Sequence, residues 1–261
     1  MIIDAYAYLG HWPFRRVYFN TAKSLLSLMD KVGIQMALVS SLSSVFYRNA
    51  QSGNEELYEE VRSFRGRLIP LACINPRYPG WLDDLYYCFE KFKMRGVRLH
   101  PNFHGYSLRD ERVLKLVKVV SEYGYPVSIV VRVEDERIGH WLVRVPPVPI
   151  DDIAYIIKSC KDTTFIILAL RGGEAIKLIS ELGTDYKNYL IGISKLTVYF
   201  SDTLTKVIDK IGVDRVLFAT GMPFQYPECS LLKVECLDID KNSKEMILWK
   251  NIFKIIGNNI Y

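Results

Sequence analysis

Two stretches of the chain collect side chains that can move protons or grip anions: RLHPNFHGY at 98–106 and RVEDERIGH at 132–140. The first supplies Arg98, His100, Asn102, His104 and Tyr106, so two of only four histidines fall within five residues. Imidazole titrates near neutrality; His100, at a strand end, is the better candidate base, and His104, before Gly-Tyr, reads as a satisfied loop histidine. The second stretch supplies Arg132, Glu134, Asp135, Arg137 and His140. Guanidinium forks grip carboxylates and phosphates through paired hydrogen bonds, so arginines gathered at one place fit a small anionic ligand. The same arginines could instead pair with Glu134, Asp135 or Glu136 in a structural network, and both readings stay open.

The N-terminus, MIIDAYAYLGHWPFRR, adds Tyr6 and Tyr8 at alternate positions, then His11, Arg15 and Arg16. Alternate residues of a strand project to one side. The two phenols therefore either fill a common volume or present a hydroxyl to a ligand. SLSSVFYRNAQSGN at 41–54 contributes Tyr47, Arg48 and Asn54. RGGE at 171–174 can be read as an anion cradle at a helix start or as plain turn chemistry. The sequence has no GxSxG elbow and no phosphate-binding GxxxxGK loop.

What must position these groups is an alternation of short β-rich runs with helical patterns. Eight runs rich in Val, Ile and Leu start at the N-terminus and continue at 34–41, 67–75, 96–101, 126–133, 164–170, 189–195 and 214–220. Apolar residues at three and four spacing mark helices over 21–32, 54–63, 81–94, 109–123, 150–160, 173–182, 201–211 and 242–256. Strict alternation with near-continuous apolar strands calls for a parallel sheet covered by helices, and eight units fit a closed (β/α)8 barrel of the TIM type. An open doubly wound sheet is the alternative, yet no GxGxxG follows the first strand. No linker interrupts the alternation, so residues 1–261 read as one domain. In such barrels the reacting groups sit at the C-terminal strand ends, where Arg98, His100 and Arg132 are expected to converge on one anion pocket. The loop after the fifth run, ending in RVPPVP, is long for a βα unit and reads as functional.

Bulk properties exclude several classes. The 261 residues are 49% hydrophobic and 24% charged, a globular composition. The net charge of +5 is spread without a basic block, so neither nucleic acid nor a membrane is an expected partner. Five cysteines at 73, 88, 160, 229 and 236 show no CxxC or zinc spacing and suit reduced thiols in a cytoplasmic protein; only Cys229 and Cys236 are a pair worth watching. No signal-peptide pattern opens the chain, and no apolar run approaches the roughly 18 residues of a membrane helix.

Taken in order, IIDAYAYLG, GVRLHPNFHGYSL, PVSIVV, ILALRGG, DRVLFATGMPF and the terminal IGNN resemble the amidohydrolase superfamily, in its amidohydrolase-related branch of metal-dependent hydrolases and decarboxylases. The resemblance spans almost the whole chain. It implies a first strand ending in His-x-His, and those positions are Tyr6 and Tyr8. The implied histidines of strands five and six fall on Val130 and Leu170, and the strand-eight aspartate falls on Gly221. Phenols are poor ligands near neutrality, and Val, Leu and Gly offer no ligand atom, so neither a metal nor another cofactor is expected. The alignment places the last strand's end near Thr220, with GMPF beside Tyr6 and Tyr8 at the mouth.

Three functions remain. The first is a metal-independent hydrolase or lyase acting on a small carboxylated metabolite; 2-pyrone-4,6-dicarboxylate lactonase is a metal-independent precedent in the superfamily. The second is a non-catalytic relative that binds a metabolite or a partner subunit, and a homo-oligomer is possible in either case. The third is a metal hydrolase with ligands recruited elsewhere, such as His100 and His104. On the first reading His100, Asp135 and Tyr8 are the catalytic candidates. Tyr6, Arg16, Arg48, Arg98, Asn102, His104, Tyr106, Arg132, Arg137 and His140 are the candidate substrate contacts.

Overall fold

The computed structural model describes residues 1–137 and 139–257. Eight strands appear where the β-rich runs stand: β1 Ile3–Leu9, β2 Met36–Ser41, β3 Leu68–Pro70, β4 Val97–Leu99, β5 Val127–Val130, β6 Phe165–Leu168, β7 Tyr189–Gly192 and β8 Val216–Leu217. All pairings are parallel, in the order β1-β2-β3 and β4-β5-β6-β7-β8. Single bridges join the two sets, Ala72 to Val97 on one side and Ala7 to Met222 on the other. The sheet thus closes on itself as a (β/α)8 barrel, and no edge is left open.

The intervening helices are α1 Ala22–Val32, α2 Ala50–Val61, α3 Trp81–Glu90, α4 Glu111–Glu122, α5 Ile150–Ser159, α6 Gly172–Leu182 and α7 Thr203–Ile211. Each buries an apolar stripe against the outside of the barrel, so one core lies between strands and helices and a second lies inside. Cap chemistry sets several boundaries. Thr21 accepts from the Ser24 amide to open α1, and Gly33, at φ 75°, closes it in the left-handed region. Helix α2 begins before the expected 54, because the Asn49 side chain caps it through the Gln51 amide. Asn54, the first residue of the expected helix, is therefore interior to it. It lies buried in α2, where its amide exchanges bonds of 2.8 and 2.9 Å with the Cys73 backbone and ties the helix to the strand-three end. Three shorter elements, Ser43–Phe46, Pro101–His104 and Pro227–Glu235, escaped the periodicity reading; two of them are single turns in the mouth loops.

Two irregularities shape the interior. Pairing of β1 with β2 shifts register between Asp4 and Ala7. The shift changes the in-and-out alternation, so Tyr6 and Tyr8 join Ile3 and Ala5 in the inner core. At the other end, regular β8 stops at Leu217, short of the expected Thr220. A π-helical turn at Met246–Lys250 lends the Ile247 carbonyl to the Phe218 amide at 2.9 Å in place of a strand partner. Beyond it the chain still follows β1: the Gly221 amide donates to Tyr6 at 2.8 Å and the Tyr8 amide to Met222 at 2.9 Å. GMPF therefore stands beside Tyr6 and Tyr8, as the motif order requires. Of IGNN, Asn258 and Asn259 lie outside the described residues. Cys229 and Cys236 are both free thiols. Among the described residues no helix is long and apolar enough to cross a membrane.

Candidate functional site

Arg98 and His100 do share a face of β4, but two residues along a strand are about 6.6 Å of depth. That depth separates their roles. Arg98 is fully buried inside the barrel and never reaches the mouth. One of its terminal nitrogens donates to the Ala7 carbonyl at 2.6 Å and to Ser40 Oγ at 3.0 Å. The other donates to the Ala5 and Leu38 carbonyls at 2.9 and 3.2 Å. The rings of Tyr6 and Tyr8 flank it, with centroids 5.4 and 5.3 Å from the guanidinium carbon. The expectation that Arg98, His100 and Arg132 converge on one pocket therefore fails for Arg98, which the strand carbonyls hold one layer below.

The same layer contains Asp4, whose carboxylate accepts from the amides of Tyr6 and Thr220, both at 2.9 Å, and from Thr220 Oγ1. Burial pushes this carboxyl up to about 6, against the pull of those donors and of Arg98. Burial also raises the Tyr6 hydroxyl to about 12 and the Tyr8 hydroxyl well above its ordinary value, so both phenols stay protonated. Tyr6 uses its hydroxyl on the Arg132 carbonyl at 3.3 Å.

One layer higher, Tyr8 Oη lies 2.9 Å from His100 Nε2, and His100 Nδ1 lies 3.5 Å from Cys73 Sγ. This Cys–His–Tyr chain joins the ends of strands three, four and one, and no local sequence pattern announced it. Burial holds His100 well below the usual histidine range, with His104 and Arg98 adding to the effect, so the ring is neutral. Burial likewise lifts the Cys73 thiol to about 12, which removes it as a thiolate nucleophile. His104 Nε2 lies 2.9 Å from the Ser44 carbonyl of the loop after strand two, while its Nδ1 is buried without a partner, so the ring is only half satisfied. Tyr106 faces the outer core rather than the mouth, because the single turn at Pro101–His104 carries the chain out of the barrel.

At the mouth itself the charged side chains pair with one another. Arg132, nearly buried, grips both carboxylate oxygens of Glu174, one at 2.7 Å, and reaches the Ala169 carbonyl at 2.8 Å. Of Glu134, Asp135 and Glu136, the alternative partners for the arginines, only Glu136 approaches Arg132, at 3.5 Å. The principal partner, Glu174, comes from RGGE: that motif caps α6 with its own carboxylate, which accepts the Arg171 amide at 2.8 Å, and forms no cradle for an external anion. Glu136 also lies 3.7 Å from Arg171, Glu134 pairs with Arg15, and Asp135 binds Arg137 at 3.0 Å. The Arg137 hydrogen bonds hold Asp135 well below the ordinary carboxylate range. Asp135 makes a further ion pair with Lys195 Nζ at 3.5 Å. Lys195 is a site residue that the sequence reading passed over; a lysine closing the seventh strand run of a barrel was the available signal.

His100, Asn102, Arg132 and Asp135 line one cavity of about 40 Å³. At 10–15 Å³ per water centre, that is room for about three waters. Aromatic rings roof it. Trp12 packs edge-on against Phe46 and Phe224 at 4.8 and 4.9 Å, and Phe224 covers Tyr8 at 6.2 Å. The long β5 loop is pinned over the opening by the Asn102 amide, which donates to the Pro146 carbonyl. His140, in this loop, packs between Phe14 and Trp141 at 5.8 and 5.7 Å and does not line the cavity. Arg16 lies over Tyr18 on the exposed β1 loop, and exposed Arg48 lies on the loop after strand two. Neither lines the cavity.

The positions that the resemblance assigns to a metal do not fit one. Val130, Leu170 and Gly221 present no donor atom, the Tyr8 hydroxyl is committed to His100, and the fixed charge of Arg98 would repel a cation beside the two rings. Among the described residues no group of three or more His, Cys, Asp or Glu side chains could hold a metal ion.

A family model described as amidohydrolase matches residues 24–257. The chain resembles the solved structure of 2,6-dihydroxybenzoate decarboxylase from Rhizobium at 16% identity, with 98% of each chain covered and a TM-score of 0.73. The 5-carboxyvanillate decarboxylase of Sphingomonas paucimobilis gives 15% identity, 98% coverage of each chain and a TM-score of 0.73. The dihydroxybenzoic acid decarboxylase of Polaromonas, solved with bound manganese and the inhibitor 2-nitroresorcinol, gives 17% identity over 99% of this chain and 97% of that one, with a TM-score of 0.72. No curated protein matches the chain. At these identities the structural likeness speaks for the fold.

Proposed function

The chain belongs to the amidohydrolase family, and from that premise we propose that it is a metal-independent member acting on a small carboxylated molecule at the rim of its barrel mouth. The observation that carries this reading is the Arg98 guanidinium between Tyr6 and Tyr8, bonded to three strand carbonyls and Ser40. A permanent cation there supplies positive charge to the interior and opposes a metal ion bound beside the two tyrosines. Chemistry then falls to the rim, where Arg132, Arg137, Arg171 and Lys195 meet Asp135, Glu136 and Glu174. Four cations against three carboxylates leave an excess of positive charge, suited to a carboxylate or a developing oxyanion. Arg171 is the arginine most easily diverted. Its pairing with Glu136 is long and both side chains are over 40% exposed, so breaking it costs at most about 1 kcal/mol. Asp135 serves as an ionised carboxylate, and neutral His100 with Tyr8 as the uncharged floor beneath it.

A second reading, a non-catalytic relative that binds a partner subunit, is favoured by the roofed cavity: about 40 Å³ is well under the roughly 300 Å³ of a typical small-molecule pocket. Thermal-shift measurements across mono- and dicarboxylic acids separate the two. The first reading expects a subset of acids to raise the melting temperature of the wild type and to lose that effect in Arg171→Met. Silence across the whole panel would favour the second.

A further inference from the structure

Lys195 ends the turn Ile193–Lys195 that follows β7, and its side chain keeps 15% of its surface exposed. Four charged groups face it from three neighbouring elements. Asp135, 3.5 Å away, comes from the β5 loop and is shared with Arg137. Arg132 lies at the end of strand five and Arg171 at the start of α6, both close enough to oppose a charge on the amine. The fourth is a second amine, Lys233 of the helix Pro227–Glu235, whose Nζ donates to the Ile193 and Ser194 carbonyls at 3.2 and 2.8 Å, immediately before Lys195. A lysine that is half desolvated and crowded by cations holds its proton less firmly than a surface lysine. Burial is the main cause for both amines: Lys195 sits below its ordinary value and Lys233 falls to about 8.

An amine so placed, at the strand end of a barrel mouth with arginines beside it, has one chemistry that the rest of the rim lacks. We propose that Lys195 is a carbonyl-reactive amine that captures small keto acids as a reversible imine, with Arg171 receiving the carboxylate. This deepens the metal-independent reading above and rests on it for the carboxylate. In the step, neutral Nζ forms a bond to the carbonyl carbon while the C=O π pair moves to oxygen. That oxygen then leaves as water, carrying both amine hydrogens, and the C=N bond remains. No oxidant or reductant is consumed. The imine nitrogen then takes one proton from solvent, and the resulting iminium withdraws electrons from the adjacent carbon, which is the work a Lewis acid would otherwise do. Asp135 keeps the amine from losing its proton too readily, so its charge sets the working pH.

Incubating the full chain with pyruvate and sodium cyanoborohydride near neutral pH tests this, followed by intact mass and peptide mapping. The expected result is one reduced adduct per chain on Lys195, formed faster than on exposed lysines by about tenfold for each unit of depressed pKa. Asp135→Asn shifts the pH midpoint of labelling downward, because the carboxylate paired with the charged amine is gone. Acetone, which lacks a carboxylate, labels more slowly, and Arg171→Met removes the difference between the two probes. Adducts scattered over surface lysines, or unchanged mapping in Lys195→Arg, overturn the proposal. Should pyruvate label Lys195 while non-keto acids leave the melting temperature unmoved, the amine stands and the carboxylate reading falls. Acids that shift the melting temperature with no adduct from pyruvate sink the amine alone.

Discussion

The barrel centre and its rim handle charge in opposite ways. At the centre, Arg98 and Asp4 are both fully buried and are satisfied chiefly by backbone atoms, so each sits in one fixed geometry. At the rim, Arg132, Arg171, Lys195, Glu136 and Asp135 satisfy one another through side chains, several of them solvent-exposed. Backbone partners cannot be exchanged without unfolding, whereas side-chain partners can be traded for a ligand. The centre is thus built as structure, and the rim is where the proposed function falls.

The largest expected effect is therefore at the centre. Arg98→Met strands three strand carbonyls and leaves Asp4 without its nearby cation, and should cost about 3–5 kcal/mol, read as a lower urea midpoint. If the loss is under about 1 kcal/mol, the centre is not the organising element.

Asp4 gives the next test through pH. Its folded pKa, about 6, is above the ordinary 3.8, so between these values the folded state binds more protons than the unfolded chain. Stability from this group is fully present below pH 4 and is lost as pH rises through 6, by up to about 3 kcal/mol. The difference in stability between wild type and Asp4→Asn should follow that slope; a difference flat across pH 4–6 breaks the assignment.

Glu174→Gln leaves the nearly buried Arg132 with a weaker partner and should cost about 1–3 kcal/mol. That places the strand-five end between the two regions. Smallest of all, Arg137→Met touches a side chain 84% exposed and should move stability by less than about 0.5 kcal/mol. A larger loss would make the rim structural as well and erase the contrast.

Much of the architecture was legible because it depends on local periodicity. Near-continuous apolar runs gave the eight strands, and three and four spacing gave the helices between them. Depth was not legible. Period two placed Arg98 and His100 on one face without saying that one lies a layer below the other. Partner choice was hidden for a similar reason: the acidic run 134–136 is near Arg132 in sequence, yet Glu174 reaches it because strands five and six are neighbours in register. The pairing shift in β1 also left no trace in the alternation of Tyr6 and Tyr8, which read as an unbroken strand. Cys73 met His100, and Lys195 met Asp135, only through closure of the barrel.

The central claim is that a guanidinium, and not a metal, supplies the positive charge at the barrel centre. Equilibrium dialysis of the purified chain against zinc and manganese, followed by elemental analysis, tests it most directly. The account predicts no stoichiometric metal in the wild type, and none gained or lost on replacing His100 or His104. About one tightly held ion per chain, released by replacing either histidine, would contradict it.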